Sequence, residues 1–433
     1  MNSQSLTIET LTHGPWGLGR DQGKVILVPM TVPGDQVEVE VVEEHKRYSV
    51  ARLASLSRPS PARRTAPCPY AGTCGGCSWQ QVAYEEQLRA KQRNVADTLT
   101  RVGGLSGFEV LPILPSPREY QYRRRIRLHV DEGGTLGFRR AFSRDLVEVA
   151  NCLIADPDAD QAIGVAAEWL RRLGTKVTEV EILRADRPGQ VILSAITRNR
   201  LSGADAHACE DAVTGPVAGL IMGGPRWRRH WGDTTLSFVV DGDLKLRHDA
   251  DTFGQVNPDG NRELLNELLS WEAFGEQDRV LELYAGAGNL TLPMARRVRR
   301  VTAVEAGRRL VQSGERNAAR NDLHNIRWLR QDAVSAVEEL IGQGRRFTTV
   351  VLNPPRTGAK NVAPKLAALG ARRILYVSCN PATLARDLRH LAAQGFVLQR
   401  VRPVDLFPQT FHVETLAELV LPEALGPAAE SDE

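Results

Sequence analysis

No apolar run in this chain of 433 residues approaches the roughly 20 needed to cross a bilayer. The opening residues MNSQSLTIET carry neither a basic n-region nor an apolar h-region, so no secretory leader is expected. Low-complexity bulk is missing too. With 42% hydrophobic and 25% charged residues, the composition is that of a globular protein. A net charge of only +3 does not by itself announce a polyanionic partner. These absences point to a cytoplasmic protein with no membrane association, and nothing in the chain calls for an obligate protein partner. The length suggests two to four domains.

What the net charge hides, its distribution reveals. Seven arginines stand against three acidic residues between Arg118 and Arg140. Arg226-Trp227-Arg228-Arg229-His230-Trp231 interleaves cations with rings, a composition suited to phosphate contacts and base stacking. Arg123, Arg125 and Arg139 of the first cluster, with Arg356 further on, are the candidate nucleic-acid contacts.

Residues 1–58 read as a small all-β unit with strands at Ser5–Leu11, Val25–Val32, Gln36–Glu44 and near Tyr48–Ser57. Gly17, Gly19 and Pro33-Gly34-Asp35 supply turn chemistry. Short strands with glycine turns suggest an OB-like barrel, a fold that often binds nucleic acid. Arg58–Thr65, rich in proline and arginine, reads as a linker.

Cys68, Cys74 and Cys77 follow in a C-x₅-C-x₂-C pattern, with Cys152 and Cys209 available as a fourth ligand. In a cytoplasmic chain such spacing favours metal over disulfides. Four thiolates suit either zinc or an iron–sulfur cluster, and three close cysteines plus a distant one favour the cluster. Cys209, in a helical DAHACEDA run, reads as unliganded. Residues 59–249 are expected to form an α+β domain on an antiparallel sheet, with a helix over Val82–Leu105 and a hairpin around Gly133-Gly134.

From about Ala250 strands and helices alternate, which predicts a mostly parallel, doubly wound α/β sheet over 250–425, ahead of a disordered tail at 426–433. The first strand of this region runs into LELYAGAGNLT. Gly286 and Gly288 let the backbone turn tightly against a ligand at the helix start. The third glycine of the dinucleotide fingerprint is absent, which disfavours NAD. Glu305 ends the next strand, where a carboxylate binds ribose hydroxyls, and Asp332 ends the third, within reach of an adenine amino group. Ribose and adenine recognition without a pyrophosphate clamp describes S-adenosylmethionine. The fourth strand ends in Asn353-Pro354-Pro355-Arg356, a rigid turn that aims the asparagine over the sheet edge. The fifth ends in Ser378-Cys379-Asn380-Pro381 and delivers a cysteine to the ligand-binding edge. Cys379 is there either a buried small hydrophobe or a nucleophile.

Cys379, the adenosine loop and the closing run FPQTFHVETL together resemble the RNA (uracil-5-)-methyltransferase family, and the resemblance covers nearly the whole chain. It implies a Rossmann-like class I methyltransferase domain, an N-terminal barrel of the TRAM type and a central α+β iron–sulfur domain. Barrel and cysteines together favour the 23S ribosomal RNA branch, because the transfer-RNA branch lacks both. By the same resemblance Cys68, Cys74, Cys77 and Cys152 would hold a [4Fe-4S] cluster. Gln255, Tyr284, Asn289, Glu305 and Asp332 would contact S-adenosylmethionine, Cys379 would be the nucleophile and Glu414 the base. That nucleophile needs a lowered pKa, which the start of the following helix would help supply. The family usually carries aspartate where Asn353 stands. Asparagine can still accept from uracil's ring N–H and donate to its 4-oxo group. Gln409 replaces a common histidine, a change bearing on loop packing. Competing readings are a transfer-RNA methyltransferase, a catalytically weak RNA-binding relative, a 5-methylcytosine enzyme and an iron–sulfur redox enzyme.

Overall fold

A computed structural model describes residues 3–271 and 274–422. The expected tail at 426–433 lies outside the described residues. Strands Ser3–Leu11, Trp16–Asp21, Lys24–Pro29, Gln36–Glu44 and Tyr48–Arg58 close into a five-stranded barrel. Alternate residues Leu6, Ile8, Ile26, Val28, Val37, Val39 and Ala51 fill it, as a period of two demands. Gln22 and Gly23, both at positive φ, form the two-residue turn whose twist matches a hairpin.

The segment Trp16–Asp21, read above as a turn, is a barrel strand. Its glycines serve close packing. A Cβ on Gly17 would lie 2.1 Å from Thr31 Oγ1, and one on Gly19 would lie 2.4 Å from Leu6 Cδ1. The expected linker is likewise fastened down. Buried Asp35 accepts from Ser60 N–H at 2.9 Å and pairs with Arg63 at 2.5 Å.

The central sheet has seven strands in the order Trp227–Gly232, Val217–Gly224, Val191–Thr197, Val177–Arg184, Arg125–Val130, Leu136–Arg139, Leu146–Glu148. It is antiparallel except where Val191–Thr197 runs parallel to Val217–Gly224. The basic and aromatic run 226–231 thus falls largely on an edge strand. Helix Pro157–Arg171 lays Ala159, Ile163, Ala166 and Trp169 on the sheet, capped by Asp156 and opened by Pro157. Cys209 is fully buried in the same core.

The C-terminal sheet has eight strands: Ile326–Arg330, Arg300–Glu305, Arg279–Leu283, Thr349–Leu352, Arg373–Ser378, Glu414–Val420, Val397–Val404 and the two-residue Glu109–Val110. The first five are parallel. Glu414–Val420 inserts antiparallel between its two neighbours. The eighth strand comes from far upstream. So does helix Tyr84–Arg101, whose Val95 and Leu99 share a core with Leu388, Leu391, Phe396 and Val401. The helix expected over 82–105 therefore packs on the C-terminal layer, and the boundary expected at 249 does not separate two independent cores. The apolar stripe of the helix finds its partner across the fold, not among its neighbours in sequence.

Candidate active site

The five parallel strands end along one edge, where their loops converge. In the glycine loop, Gly286 has φ +60° and Gly288 φ +105°, and Tyr284 before them is also left-handed at +65°. Nothing lies within 4 Å of a Cβ built on Gly286, so the loop leaves open space there. Glu305 is held by two backbone amides, Gly286 N–H at 3.0 Å and Gly307 N–H at 2.8 Å. This fixes its carboxylate beside the loop with lone pairs to spare for two hydroxyls. Exposed Asp332 caps helix Ala333–Gly342 through Val334 and Ser335 N–H, both at 3.1 Å, which holds its carboxyl below the usual range. Asn289 exchanges two hydrogen bonds with Asn261, at 3.0 and 2.9 Å, so its amide supports the loop from behind.

Gln255 is half-buried in the segment leading into helix Pro258–Ser270. Arg125 braces this segment, donating to the carbonyls of Ala250 at 2.5 Å and Thr252 at 2.9 Å. That guanidinium is committed to the protein's own backbone. Arg139 is exposed and reaches the Arg144 carbonyl. Arg123 and Arg356 line a cavity of about 290 Å³.

Sheet register brings the catalytic candidates together. Ser378 pairs with Thr415 in the antiparallel ladder, and Cys379 and Glu414 are the residues next to that pair, near enough for the Glu414 charge to act on the thiol. Glu414 is only 7% exposed. Burial pushes its carboxyl up to about 8, against a smaller pull downward from Arg356. Burial, and then the charge of Glu414, also push the Cys379 thiol up, while Arg356 pulls it down by charge and by a hydrogen bond. The lowered thiol pKa expected from the helix start is thus not found in the free site. Desolvation outweighs the pull of the guanidinium. Asn380 nevertheless caps helix Pro381–Ala392 through Ala382 N–H at 3.0 Å, which fixes the turn.

The loop after Asn353 is tied to that helix. Thr383 Oγ1 donates to the Arg356 carbonyl at 3.1 Å, and Arg386 to that of Thr357 at 2.8 Å. Buried Asp387 accepts from Ala359 N–H at 2.6 Å and from the Tyr376 hydroxyl at 2.7 Å. Asn353 itself is half-buried at the strand end.

A set of residues that sequence reasoning missed holds the segment before Glu414. Lys91 and Asp405, both 0% exposed, pair at 2.6 Å, and Tyr84 donates to the same carboxylate at 3.0 Å. Gln409, left-handed at φ +70° and fully buried, accepts from Arg64 at 2.8 Å and Gln87 at 3.0 Å. Its substitution for histidine is therefore a matter of loop packing. His412 meets the Phe407 ring edge-on, at 5.9 Å and 73°, and the Phe411 ring at a tilt, at 4.2 Å and 43°. Burial, and then the positive charge of Arg356, push its imidazole down to about 4, so it is neutral.

Cys68, Cys74, Cys77 and Cys152 line the same cavity as Arg123, Arg356 and His412. All are free thiols. Burial pushes Cys77 up to about 12 and Cys152 up to about 11, and neighbouring thiolates add to both. Among the described residues, no three His, Cys, Asp or Glu side chains come close enough to hold a metal ion. The four cysteines thus converge on one space without closing a single-ion cage.

A mostly parallel sheet with one inserted antiparallel strand, a glycine loop, and acidic residues ending the next two strands defines a S-adenosylmethionine-dependent methyltransferase. Residues 230–420 match the tRNA (Uracil-5-)-methyltransferase family. A 23S rRNA (uracil(1939)-C(5))-methyltransferase from Pseudomonas fluorescens is 37% identical over 425 residues, covering 96% of this chain and 91% of that protein. An uncharacterized RNA methyltransferase from Halalkalibacterium halodurans is 31% identical over 442 residues, covering 96% of each. The Pyrococcus abyssi tRNA (uracil-54, C5)-methyltransferase, solved with S-adenosyl-L-homocysteine, superposes with a TM-score of 0.74 at 24% identity, over 96% of this chain and 100% of that one. The last of these speaks to the fold alone. This chain belongs to the RNA (uracil-5-)-methyltransferase family, in its 23S ribosomal RNA branch.

Proposed function

We propose that this enzyme moves the methyl group of S-adenosylmethionine to carbon 5 of one uridine in 23S ribosomal RNA, in the cytoplasm. The observation that supports the chemistry is the nearness of Cys379 to buried Glu414 beside the Ser378–Thr415 pair, with Arg356 acting on both. Carbon 5 of uracil is a weak nucleophile. Addition of the Cys379 thiolate to carbon 6 makes the ring an enolate, and carbon 5 then attacks the methyl sulfonium, releasing S-adenosylhomocysteine. Glu414 takes the carbon-5 proton, and the electrons of that bond expel the thiolate and restore the ring. Asn353 reads the uracil edge. Gln255, Tyr284, Gly286, Gly288, Glu305 and Asp332 hold the cofactor, and Asn289 supports their loop from behind through Asn261.

The target uridine must leave its stack to reach Cys379. Barrel, Arg123, Arg139 and Arg356 grip the flanking strand, whereas Arg125 acts from behind by bracing the Gln255 segment. The four cysteines hold a [4Fe-4S] cluster. All four cysteines line one cavity, which supports a centre shared among them. The cluster supports structure, because methyl transfer consumes no electron.

The test is to incubate anaerobically purified protein with unmodified 23S ribosomal RNA and labelled S-adenosylmethionine, with transfer RNA in parallel. Label in a single ribosomal uridine is the expected result. Label in transfer RNA alone would overturn the substrate. No label from protein that still binds cofactor would favour an RNA-binding relative weakened at Asn353.

A further inference from the structure

The N-terminal barrel touches the catalytic segment at a defined place. Its first two strands are joined through Thr12–Pro15, a turn tightened by Thr12 N–H donating to the Trp16 carbonyl at 3.0 Å. His13 projects from this turn. Its ring meets that of Phe411 edge-on, at 5.7 Å and 87°. Phe411 in turn lies 4.2 Å from His412. Two residues later the chain enters the strand that begins with Glu414. Barrel residues Leu11 and Val32 join Trp79, Val82 and Ala90 in a small core against which Phe411 packs.

Most other clamps on this segment come from residues 64–122, and Asn257 adds one by donating to the Leu406 carbonyl at 3.1 Å. Lys91 holds Asp405 and the Phe407 carbonyl, Tyr122 the Pro408 carbonyl, and Trp79 the Gln409 carbonyl. They end at Gln409. Between there and Glu414, His412 N–H donates to the Thr410 hydroxyl at 3.2 Å and Val413 is buried in the main core, while the Phe411–His412 ring pair faces the barrel, with His13 bearing on Phe411. His13 Nδ1 is buried without a hydrogen-bond partner among the described residues. That nitrogen forgoes a hydrogen bond while the ring keeps its edge-on contact with Phe411.

We propose that His13 is a positioning residue for the base. Through the Phe411–His412 pair it fixes the entry of the Glu414 strand, so the barrel belongs to the catalytic apparatus as well as to the RNA grip. This rests on the reading of Glu414 as the base. A barrel that only gripped RNA would act through KM. One that sets the base acts through kcat, because small misplacements of a reacting group cost rate and leave binding intact.

The experiment measures kcat and KM for RNA, with cofactor affinity, in His13→Ala, His13→Phe, Phe411→Leu and the His13→Ala/Phe411→Leu double variant. His13→Ala is expected to lose about ten- to a hundredfold in kcat, with KM and cofactor binding unchanged. His13→Phe, which keeps a ring at the contact, restores most of the rate. The double variant is no slower than the slower single variant, since both changes break one contact. Unchanged kcat in His13→Ala, a change confined to KM, or additive losses in the double variant would overturn the proposal. Should His13→Ala fail to fold, Phe411→Leu and His13→Phe carry the same comparison. Glu414→Gln separates the underlying reading. Full activity in that variant removes the base itself, whatever His13 does.

Discussion

The carboxyl of Glu414 should set the acid limb of the reaction. Burial raises it from the ordinary 4.5 to about 8. A base must be ionised to accept a proton, so rate climbs as pH rises through that value. Only about 10% of the enzyme is competent at pH 7 and about 1% at pH 6, which makes the fall close to tenfold per unit below the limb. The Cys379 thiol is raised as well and steepens the slope. Arg356 lowers both groups, so Arg356→Gln should move the limb to higher pH and slow the enzyme most at neutrality. The assay is single-turnover methyl transfer from labelled S-adenosylmethionine to saturating RNA between pH 6 and 9, with RNA binding measured at each pH. A flat profile, or a limb near 4.5, would refute the buried-base argument.

Three further outcomes are expected. Cys379→Ala should abolish methyl transfer while RNA and cofactor still bind, and equal activity in that variant would end the covalent mechanism. Cys74→Ser should cost iron content together with stability or RNA affinity. Wild-type levels of all three would remove the cluster from the account. Lys91→Met leaves Asp405 as an uncompensated buried charge and should destabilise the fold by about 3–5 kcal/mol. A denaturant midpoint matching wild type would mean that water reaches the pair.

The glycine loop, Glu305 and Cys379 were legible in the sequence because the residue types are themselves dictated by their place at strand ends. Gly286 and Gly288 adopt backbone angles that side chains resist, and a cysteine after an apolar strand is conspicuous. What brings Cys379 and Glu414 together was not legible. Their meeting depends on the last strand inserting antiparallel beside Arg373–Ser378, and no local pattern encodes a neighbour. The strand Trp16–Asp21 was hidden because Gly17 and Gly19 answer to close neighbours, Thr31 and Leu6, that only the closed barrel supplies. Val217–Gly224 and Trp227–Gly232 went unread, the first because it carries three glycines, the second because its charges signalled a surface. Arg125 illustrates the converse. Its type suggested RNA, while its surroundings turn it onto backbone carbonyls.

The pairing of Lys91 with Asp405 joins residues 314 positions apart. A ribosome adding 5–20 residues per second needs roughly 15–60 s to cover that interval. During that time the helix Tyr84–Arg101 has been made, but the apolar surface that receives it has not. Val95 and Leu99 wait in water, and Lys91 stays hydrated and charged, until the Val397–Val404 strand and the segment after it emerge. The C-terminal layer is sealed by a segment made near the start of translation, so the chain's final strands govern when its early ones are committed.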